Sequence, residues 1–273
     1  MNTHVKALEF DKILERLQNH AVSQQAKDKL AQLSPFLSEQ QCVDKMEETT
    51  AARQMLDALG SPPLPTMKGM EELLKLAEAG AMLTPGQLEE VGRFAAGCKR
   101  MISYLGGGEE IGSPLAKYRG TMDDLSALRQ EIDNCVYNEA LRDEASSALR
   151  SLRRKIDHAE GQIKEKLNHI LRSRKQYLAD QYIAQRNGRY VLPVQRQFKN
   201  QFGGVVIESS AKGNTLFMEP SSVSKLQEEL SGLQVEEDAE QRRILYTLSA
   251  MVAEQGNWIR RNMECTEVLD VLF

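Results

Sequence analysis

Apolar residues recur along the first hundred positions at the three- and four-residue spacing of amphipathic helices. This spacing predicts four helices, over 5–33, 38–59, 69–80 and 85–105. The breaker Gly60-Ser61-Pro62-Pro63 ends the second helix, and Thr84-Pro85 gives the fourth an N-cap and a first-turn proline. The region therefore predicts a helical core.

A glycine triplet follows the fourth predicted helix. Gly106-Gly107-Gly108 comes after a helix rather than a strand, and Glu109 and Glu110 behind it would repel phosphate. We therefore interpret the triplet as a linker that interrupts the chain, not as a phosphate-binding loop.

From about Met122 the apolar spacing approaches that of a heptad seam. One stripe runs to Ile170, and a matching stripe runs from Val223 to Met263. If each stripe is continuous, it forms a helix of about 50 residues and ~75 Å. Because helices of this length are stable in water only when paired, we expect the two to fold back on each other in antiparallel fashion.

Short β-branched and aromatic runs lie between the two stripes and predict strands over 182–184, 190–194, 204–207 and 215–218. Asn187-Gly188 is a strong hairpin signal between the first two. The predicted fold is mainly α, with a long antiparallel coiled-coil arm that carries a small antiparallel sheet. Its predicted parts are a helical core (1–121), an outgoing helix (122–178), a β-rich tip (179–221) and a returning helix (222–273).

The charge is unevenly distributed along this plan. The chain has a net charge of −4, but residues 150–200 contain 13 Lys or Arg and four Asp or Glu, so the rest carries −13. A basic segment in an acidic chain is typical of a surface that binds phosphate backbone. An antiparallel arm offers another interpretation, in which Lys164 and Lys166 pair with Glu236 and Glu237, and Arg172 and Arg174 pair with Glu228 and Glu229.

Five bases lie in the predicted tip, where no acidic helix is available to neutralise them. The candidate nucleic-acid-binding residues are therefore Arg186, Arg189, Arg196, Lys199 and Lys212. Arg186 and Arg189 flank the hairpin turn, where their side chains are expected to be exposed.

Motifs of enzymatic chemistry are missing from the sequence. It contains no GxxxxGK[ST], GxSxG or HExxH run, its four histidines lack metal-ligand spacing, and its four cysteines lie far apart. We expect no catalytic residue, metal or cofactor in this chain. The charged N-terminal residues exclude a signal peptide, and the lack of a long apolar run excludes a membrane span. We therefore expect a cytoplasmic protein.

Several strings of the sequence carry a family resemblance. LEFDKILERLQNHAVSQQAKDKLAQLSP, EETTAARQMLDALGSPPL, RNGRYVLPVQ and SSAKGNTLFMEP together resemble the second bacterial branch of the MutS family, in order and over essentially the whole chain. The resemblance implies a helical core, or lever, domain with an inserted clamp of two long helices and a small sheet. This branch of the family lacks the mismatch-recognition domains that the other branch has.

The resemblance also implies functions. The relatives continue into a dimerising ATPase domain that uses ATP and Mg²⁺, often followed by an Smr nuclease domain, and neither is matched here. They are associated with branched DNA, repair and suppression of recombination, and also with the rescue of collided ribosomes. We therefore expect a non-catalytic lever and clamp that binds DNA or ribosomal RNA, within a homodimer when full length. The alternative is a structural coiled coil for subunit association.

Overall fold

The structure, a computed structural model, describes residues 9–36 and 38–273. These residues are mainly helical, with one two-stranded and one four-stranded antiparallel sheet. The predicted fold class is confirmed. The chain divides into two units, of which the first comprises residues up to Arg142 together with Ile244–Phe273, and the second is Asp143–Arg243. No helix in the described part of the chain is both long and apolar enough to cross a membrane.

The first unit contains seven of the helices that the described residues form, together with a 3₁₀ helix over Pro114–Thr121. The helices are α1 (Phe10–His20), α2 (Gln24–Ala31), α3 (Glu39–Leu59), α4 (Met70–Glu78), α5 (Pro85–Glu110), α6 (Ser126–Cys135) and α10 (Gly256–Leu272). A hairpin of β1 (Val136–Tyr137) and β2 (Ala140–Leu141) follows α6. Large apolar side chains such as Met55, Leu74 and Phe94 are buried almost completely and form the core.

The helix predicted over 5–33 is divided in the structure, and its first residues, 5–8, lie outside the described part. α1 ends at His20, and Ser23 caps α2 by accepting a hydrogen bond from the N–H of Ala26. The buried carboxylate of Asp270 accepts hydrogen bonds from the N–H groups of Val22 and Ser23, at 2.9 and 2.6 Å. The helix breaks because this distant residue satisfies the backbone groups that a continuous helix would use itself.

The interpretation of Gly106-Gly107-Gly108 as a linker is wrong, because all three residues lie inside α5. A Cβ atom at Gly108 would lie 2.6 Å from Met55 Cε, and one at Gly107 would lie 3.3 Å from a Leu59 methyl group. Gly107 and Gly108 are therefore sites where α3 approaches α5 closely, and helix packing overrides their low helix propensity.

The second unit combines two long helices and one short helix with the four-stranded sheet. Its elements are α7 (Ser147–Ser173), β3 (Ala184–Arg186), β4 (Arg189–Gln195), α8 (Lys199–Phe202), β5 (Gly204–Ser209), β6 (Thr215–Pro220) and the first part of α9 (Ser224–Glu254). α9 passes into the first unit from Ile244 onward.

The two long helices are shorter than the expected 50 residues. α7 has 27 residues and α9 has 31. The first stripe is interrupted by the β1–β2 hairpin, whose turn residues Asn138 and Glu139 both have positive φ. The second is interrupted at Gln255, which separates α9 from α10. Apolar periodicity carries across both breaks, so it overestimates helix length.

α7 and α9 run antiparallel, but not in the predicted register. Ser146 donates to Glu240 and Arg153 donates to Glu237, while Lys166 lies 3.5 Å from the carbonyl oxygen of Ser222. Lys164 instead pairs with Glu160 on its own helix. The predicted pairings of Lys164 and Lys166 with Glu236 and Glu237 are therefore wrong. The register is set by the shared apolar core of α7, α9 and the sheet, which includes Ile163, Leu167 and Leu230.

The sheet has the strand order β3-β4-β6-β5, and all its pairs are antiparallel. Asn187 and Gly188, with φ of 50° and 74°, form the predicted two-residue turn between β3 and β4. Tyr190, Leu192 and Val194 share one face and pack into the core with α7 and α9. Ala184, Val191 and Phe217 form a smaller cluster on the opposite face.

Gln227 of α9 completes the hydrogen bonding of β4. Leu192 pairs with Met218, so the same register would place Tyr190 opposite Pro220, which has no N–H to donate. The Gln227 side chain accepts from Tyr190 N–H at 2.8 Å and donates to Tyr190 C=O at 2.7 Å. The amide takes the place of a strand residue and fixes the start of α9 to the sheet.

Candidate nucleic-acid interface

The five candidate residues lie on the sheet or on its connecting segments, and the structure divides them into two groups. Arg186 and Arg189 are half-buried and paired with acids, whereas Arg196, Lys199 and Lys212 are exposed. The expectation that all five lack an internal partner is therefore wrong for the two arginines that flank the turn.

Arg186 is held against the sheet by two contacts. Its Nε lies 3.2 Å from a carboxylate oxygen of Glu208, and its guanidinium stacks 4.2 Å from the ring centroid of Phe217. A guanidinium stacked in this way contributes about 0.5–1 kcal/mol at an exposed site. Arg186 covers the small apolar cluster of the sheet, and an incoming phosphate would have to compete with Glu208 for it.

Arg189 forms an ion pair with a buried carboxylate. Its guanidinium donates to Glu219 at 2.6 Å, and the side chain of Glu219 is only 2% exposed. Gln227 also donates to Glu219, at 3.1 Å. An arginine that neutralises a buried carboxylate is not available to a ligand without a large desolvation cost. Arg189 therefore supports the fold of the tip.

The other three bases lie on the segments that follow β4 and precede β6. Arg196 donates from its guanidinium to the carbonyl oxygen of Gly213 at 3.1 Å, and its backbone N–H donates to the carbonyl oxygen of Asn214, also at 3.1 Å. These bonds hold the 210–214 turn, which carries Lys212, against the segment that follows β4. Lys199 begins α8 three residues after Arg196. None of the three forms an ion pair with any residue that the structure describes.

An open cleft of about 620 Å³ lies beside Arg196. It is lined by polar side chains and backbone, namely Ala179, Gln195, Arg196, Gln197, Asn214 and Thr215. Amide and hydroxyl groups beside unpaired cations are the donors that phosphate and sugar oxygens accept from. The carboxylate of Asp180, which follows Ala179, forms no ion pair within the described ranges, so it adds one negative charge near the positive charge of Arg196.

The bases of α7 also divide into two groups. Arg153 forms ion pairs with both Asp143 and Glu237, at 2.5 and 2.9 Å. Burial alone would lower the pKa of Arg153, but its hydrogen bonds to the two carboxylates outweigh burial and raise the pKa. Lys164 forms a hydrogen bond with Glu160 at 2.9 Å, which lowers the pKa of that carboxyl and raises the pKa of Lys164. By contrast, Arg154, Lys155 and Arg172 form no ion pair anywhere in residues 9–36 or 38–273.

The other titratable groups of interest are potential metal ligands and cysteine thiols. No group of three or more His, Cys, Asp or Glu among the described residues could hold a metal ion. The thiols of Cys98 and Cys265 are buried, and burial raises the pKa of Cys98 to about 12. A thiol with so high a pKa is protonated at neutral pH and is a poor nucleophile.

Curated proteins similar to this chain share one description, "Endonuclease MutS2". The protein from Halothermothrix orenii is 32% identical over 280 residues, which cover 98% of this chain and 35% of the relative. The protein from Geobacillus thermodenitrificans is 37% identical over 276 residues, with the same coverage. A Geobacillus sp. protein is 32% identical over 280 residues and covers all of this chain but 36% of the relative. No family model matches the chain.

These similarities confirm the predicted resemblance to the second bacterial branch of the MutS family. The chain spans about a third of the length of the curated relatives it matches.

Proposed function

We propose that this MutS2-like chain is the lever and clamp portion of a MutS-family protein, and that it binds the phosphate backbone of DNA or ribosomal RNA through the tip. The single observation that carries the proposal is the set of three exposed cations on the segments that connect the strands of the tip. Arg196, Lys199 and Lys212 have no acid partner in the described structure. The first unit would act as the lever and the second as the clamp.

The recognition mode follows from the kind of side chains present. Cations and amides bind phosphate and sugar oxygens, which supply affinity but carry no sequence information. Tyr182 is the exposed aromatic ring of the tip on which a single-stranded base could stack, whereas Phe198 packs edge to face on Tyr177 at 5.2 Å and Tyr190, Phe202 and Phe217 are buried. We therefore infer binding to duplex backbone without base specificity.

This chain is proposed to be non-catalytic. The relatives are described as endonucleases, and about two thirds of their length has no counterpart here, so the phosphate loop for ATP and Mg²⁺ and any nuclease centre would lie in that remainder. Homodimerisation and the coupling of the lever to ATP turnover would likewise belong to a longer protein. The sequence itself contains no phosphate loop.

The test removes the three charges of the tip without touching its ion pairs. In the variant Arg196→Gln/Lys199→Gln/Lys212→Gln, we expect affinity for a fluorescein-labelled DNA duplex to fall about tenfold at low salt. The slope of log affinity against log salt should also shrink by about 2–3. Fluorescence anisotropy over a salt series measures both quantities, and sedimentation with purified ribosomes provides the parallel measurement for ribosomal RNA.

The matched control is Arg16→Gln/Lys68→Gln/Arg100→Gln, which removes three exposed cations of the first unit. It changes the net charge equally and should leave the slope at the parental value. Equal binding by the tip variant and the parent at the same salt would show that the tip is not the interface. Concentration-dependent dimerisation without binding to either ligand would favour the alternative, a structural coiled coil for subunit association.

A further inference from the structure

We propose that the outer face of α7 near its N-terminus is a second phosphate-backbone surface, separate from the tip. This surface, called here the α7 face, is a shallow groove of about 340 Å³. It is lined by Ser147, Arg150, Ser151, Arg154, Lys155 and His158. The inference rests on the proposed function for the chemical class of its ligand, but it concerns different residues.

The position of these residues on the helix explains why they are exposed. An α-helix turns by about 100° per residue, so positions 147, 151, 154 and 158 lie on one side and positions 149, 152 and 156 on the other. Leu149 and Leu152 are buried in the core, whereas all six residues of the α7 face are exposed. The groove therefore lies on the side of α7 that faces away from the core.

The acids of α9 do not neutralise this face. Between α7 and α9 the described residues form one ion pair, Arg153 with Glu237, and Arg153 lies at the edge of the buried stripe. Arg154 and Lys155 have no acid partner in the described structure. The interpretation of the basic segment as internal pairing thus applies to Arg153 and Lys164, and in part to Arg150, but not to Arg154 and Lys155.

The acids closest to the α7 face compete weakly. Arg150 lies 3.4 Å from Glu144, but their side chains are 44% and 65% exposed. Exposed pairs of this kind contribute about 0–1 kcal/mol, so a phosphate could displace Glu144. Asp157 lies on the same helix and forms no ion pair with any described residue. The face retains its positive charge.

The chemistry of the groove favours a nucleic-acid backbone over an acidic protein. All six residues that line it are polar or basic, whereas the centre of a specific protein–protein interface is usually apolar and aromatic. Ser147 and Ser151 are small, so a phosphate can come between the longer cations, and their hydroxyls can donate to its oxygens. Cations and small hydroxyl residues together are the set that phosphate contacts use.

The experiment uses the whole chain and the labelled duplex as the probe. Arg154→Gln/Lys155→Gln should reduce affinity several-fold at low salt and lower the salt slope by about 2, that is, by about 0.9 for each phosphate contact. Lys68→Gln/Arg100→Gln is the charge-matched control and should keep the parental slope. Circular dichroism should show equal helicity, because both substitutions lie at exposed helical positions.

Combining the variants separates this inference from the proposed function. If both surfaces contact the duplex, the tip triple variant and the α7 double variant each lower the slope and their effects add. A normal slope for the tip variant with a reduced slope for the α7 variant would overturn the tip and support the α7 face. A parental slope in the α7 variant would overturn the α7 face. So would poly-glutamate binding as tightly as the duplex and with the same dependence on Arg154 and Lys155.

Discussion

At the scale of single residues, Arg189 has a different role from the one its position in the sequence suggests. It follows a hairpin turn, yet its guanidinium neutralises the buried Glu219, which also accepts from Gln227. Gln227 in turn serves both backbone groups of Tyr190. The carboxylate connects the ion pair to the amide that fixes α9 to the sheet, so a residue that resembles a ligand contact stabilises the second unit.

Removing Arg189 should therefore destabilise the second unit. Arg189→Ala leaves a buried carboxylate without its cation, which costs about 3 kcal/mol in the free energy of unfolding. Urea denaturation followed by circular dichroism measures the loss. Pairing it with Glu219→Gln should restore much of that loss, because no buried charge then remains. If Arg189→Ala alone is neutral, the pair is not buried in solution.

Glu240 provides a prediction of pH dependence. Hydrogen bonds from Arg243 and then from Ser146 lower its pKa from 4.5 to about 2. A lowered pKa in the folded state means that the carboxylate's contribution to stability is complete above the unfolded pKa and is lost as pH falls towards about 2. Glu240→Gln should therefore have a shallower loss of stability than the parent between pH 4.5 and 2.

Chemical denaturation at several acidic pH values measures this slope. The control is Glu236→Gln, on the same helix, because Glu236 is exposed and makes no ion pair with the residues described. It should reproduce the parental pH profile. A profile of Glu240→Gln that parallels the parent through this range would contradict the lowered pKa.

At the scale of whole elements, glycines test how closely helices pack. Gly97 in α5 and Gly161 in α7 have ordinary helical backbones, so alanine at either position gains about 1 kcal/mol of helix propensity. A Cβ at Gly97 would lie 2.9 Å from Pro65 Cα, whereas one at Gly161 meets nothing within 4 Å. Gly161→Ala should raise the melting temperature and Gly97→Ala should lower it. Thermal denaturation that shows a lowered melting temperature for Gly161→Ala, or a raised one for Gly97→Ala, would contradict this packing.

The existence of most elements could be predicted from local signals. The Thr84-Pro85 start of α5 is confirmed by a complete capping box, and Asn187-Gly188 forms the predicted turn. These elements depend on residues close in sequence, so the sequence suffices. The break after α1 depends on Asp270, and the course of α5 through three glycines depends on Met55 and Leu59. Tertiary contacts decide such places, and a one-dimensional pattern does not contain them.

The candidate site was predictable in part for the same reason. The excess of bases in residues 150–200 is visible in the composition, but their partners are not. Arg189 and Glu219 are separated by 30 residues, and Arg153 and Glu237 by 84. The sequence does carry one signal for the bases of α7. Helical spacing places Arg154 opposite the apolar stripe, whereas Arg153 lies at the edge of that stripe. Helical spacing alone is therefore enough to indicate that the α7 face is exposed.

At the scale of the whole molecule, the charge follows the division into units. Residues 143–243 contain 17 Lys or Arg and 14 Asp or Glu, a net charge of +3, so the remainder of the chain carries −7. An acidic unit repels a polyanion and a basic unit attracts it. The distribution agrees with the proposal that the second unit makes the phosphate contacts.

The same division predicts the effect of a truncation. α10 buries Ile259, Cys265 and Leu269 in the first unit, whereas the core of α7, α9 and the sheet uses residues of the second unit. Deletion of residues 256–273 should therefore unfold the first unit and leave the second intact. Hydrogen exchange should show lost protection in α5 and retained protection in β4 and β6. Retained protection in α5 would mean that α10 is dispensable.

The first unit is formed by two separate segments of the chain, and this affects how it folds during synthesis. Its two segments are separated by the whole of Asp143–Arg243, so the earlier segment emerges long before α10 exists to complete its core. At about 5–20 residues per second, the delay is on the order of ten seconds. The second unit is continuous and can fold within that interval. The nascent first segment meanwhile exposes the apolar residues that α10 will later cover, and apolar surface exposed in this way is prone to aggregate.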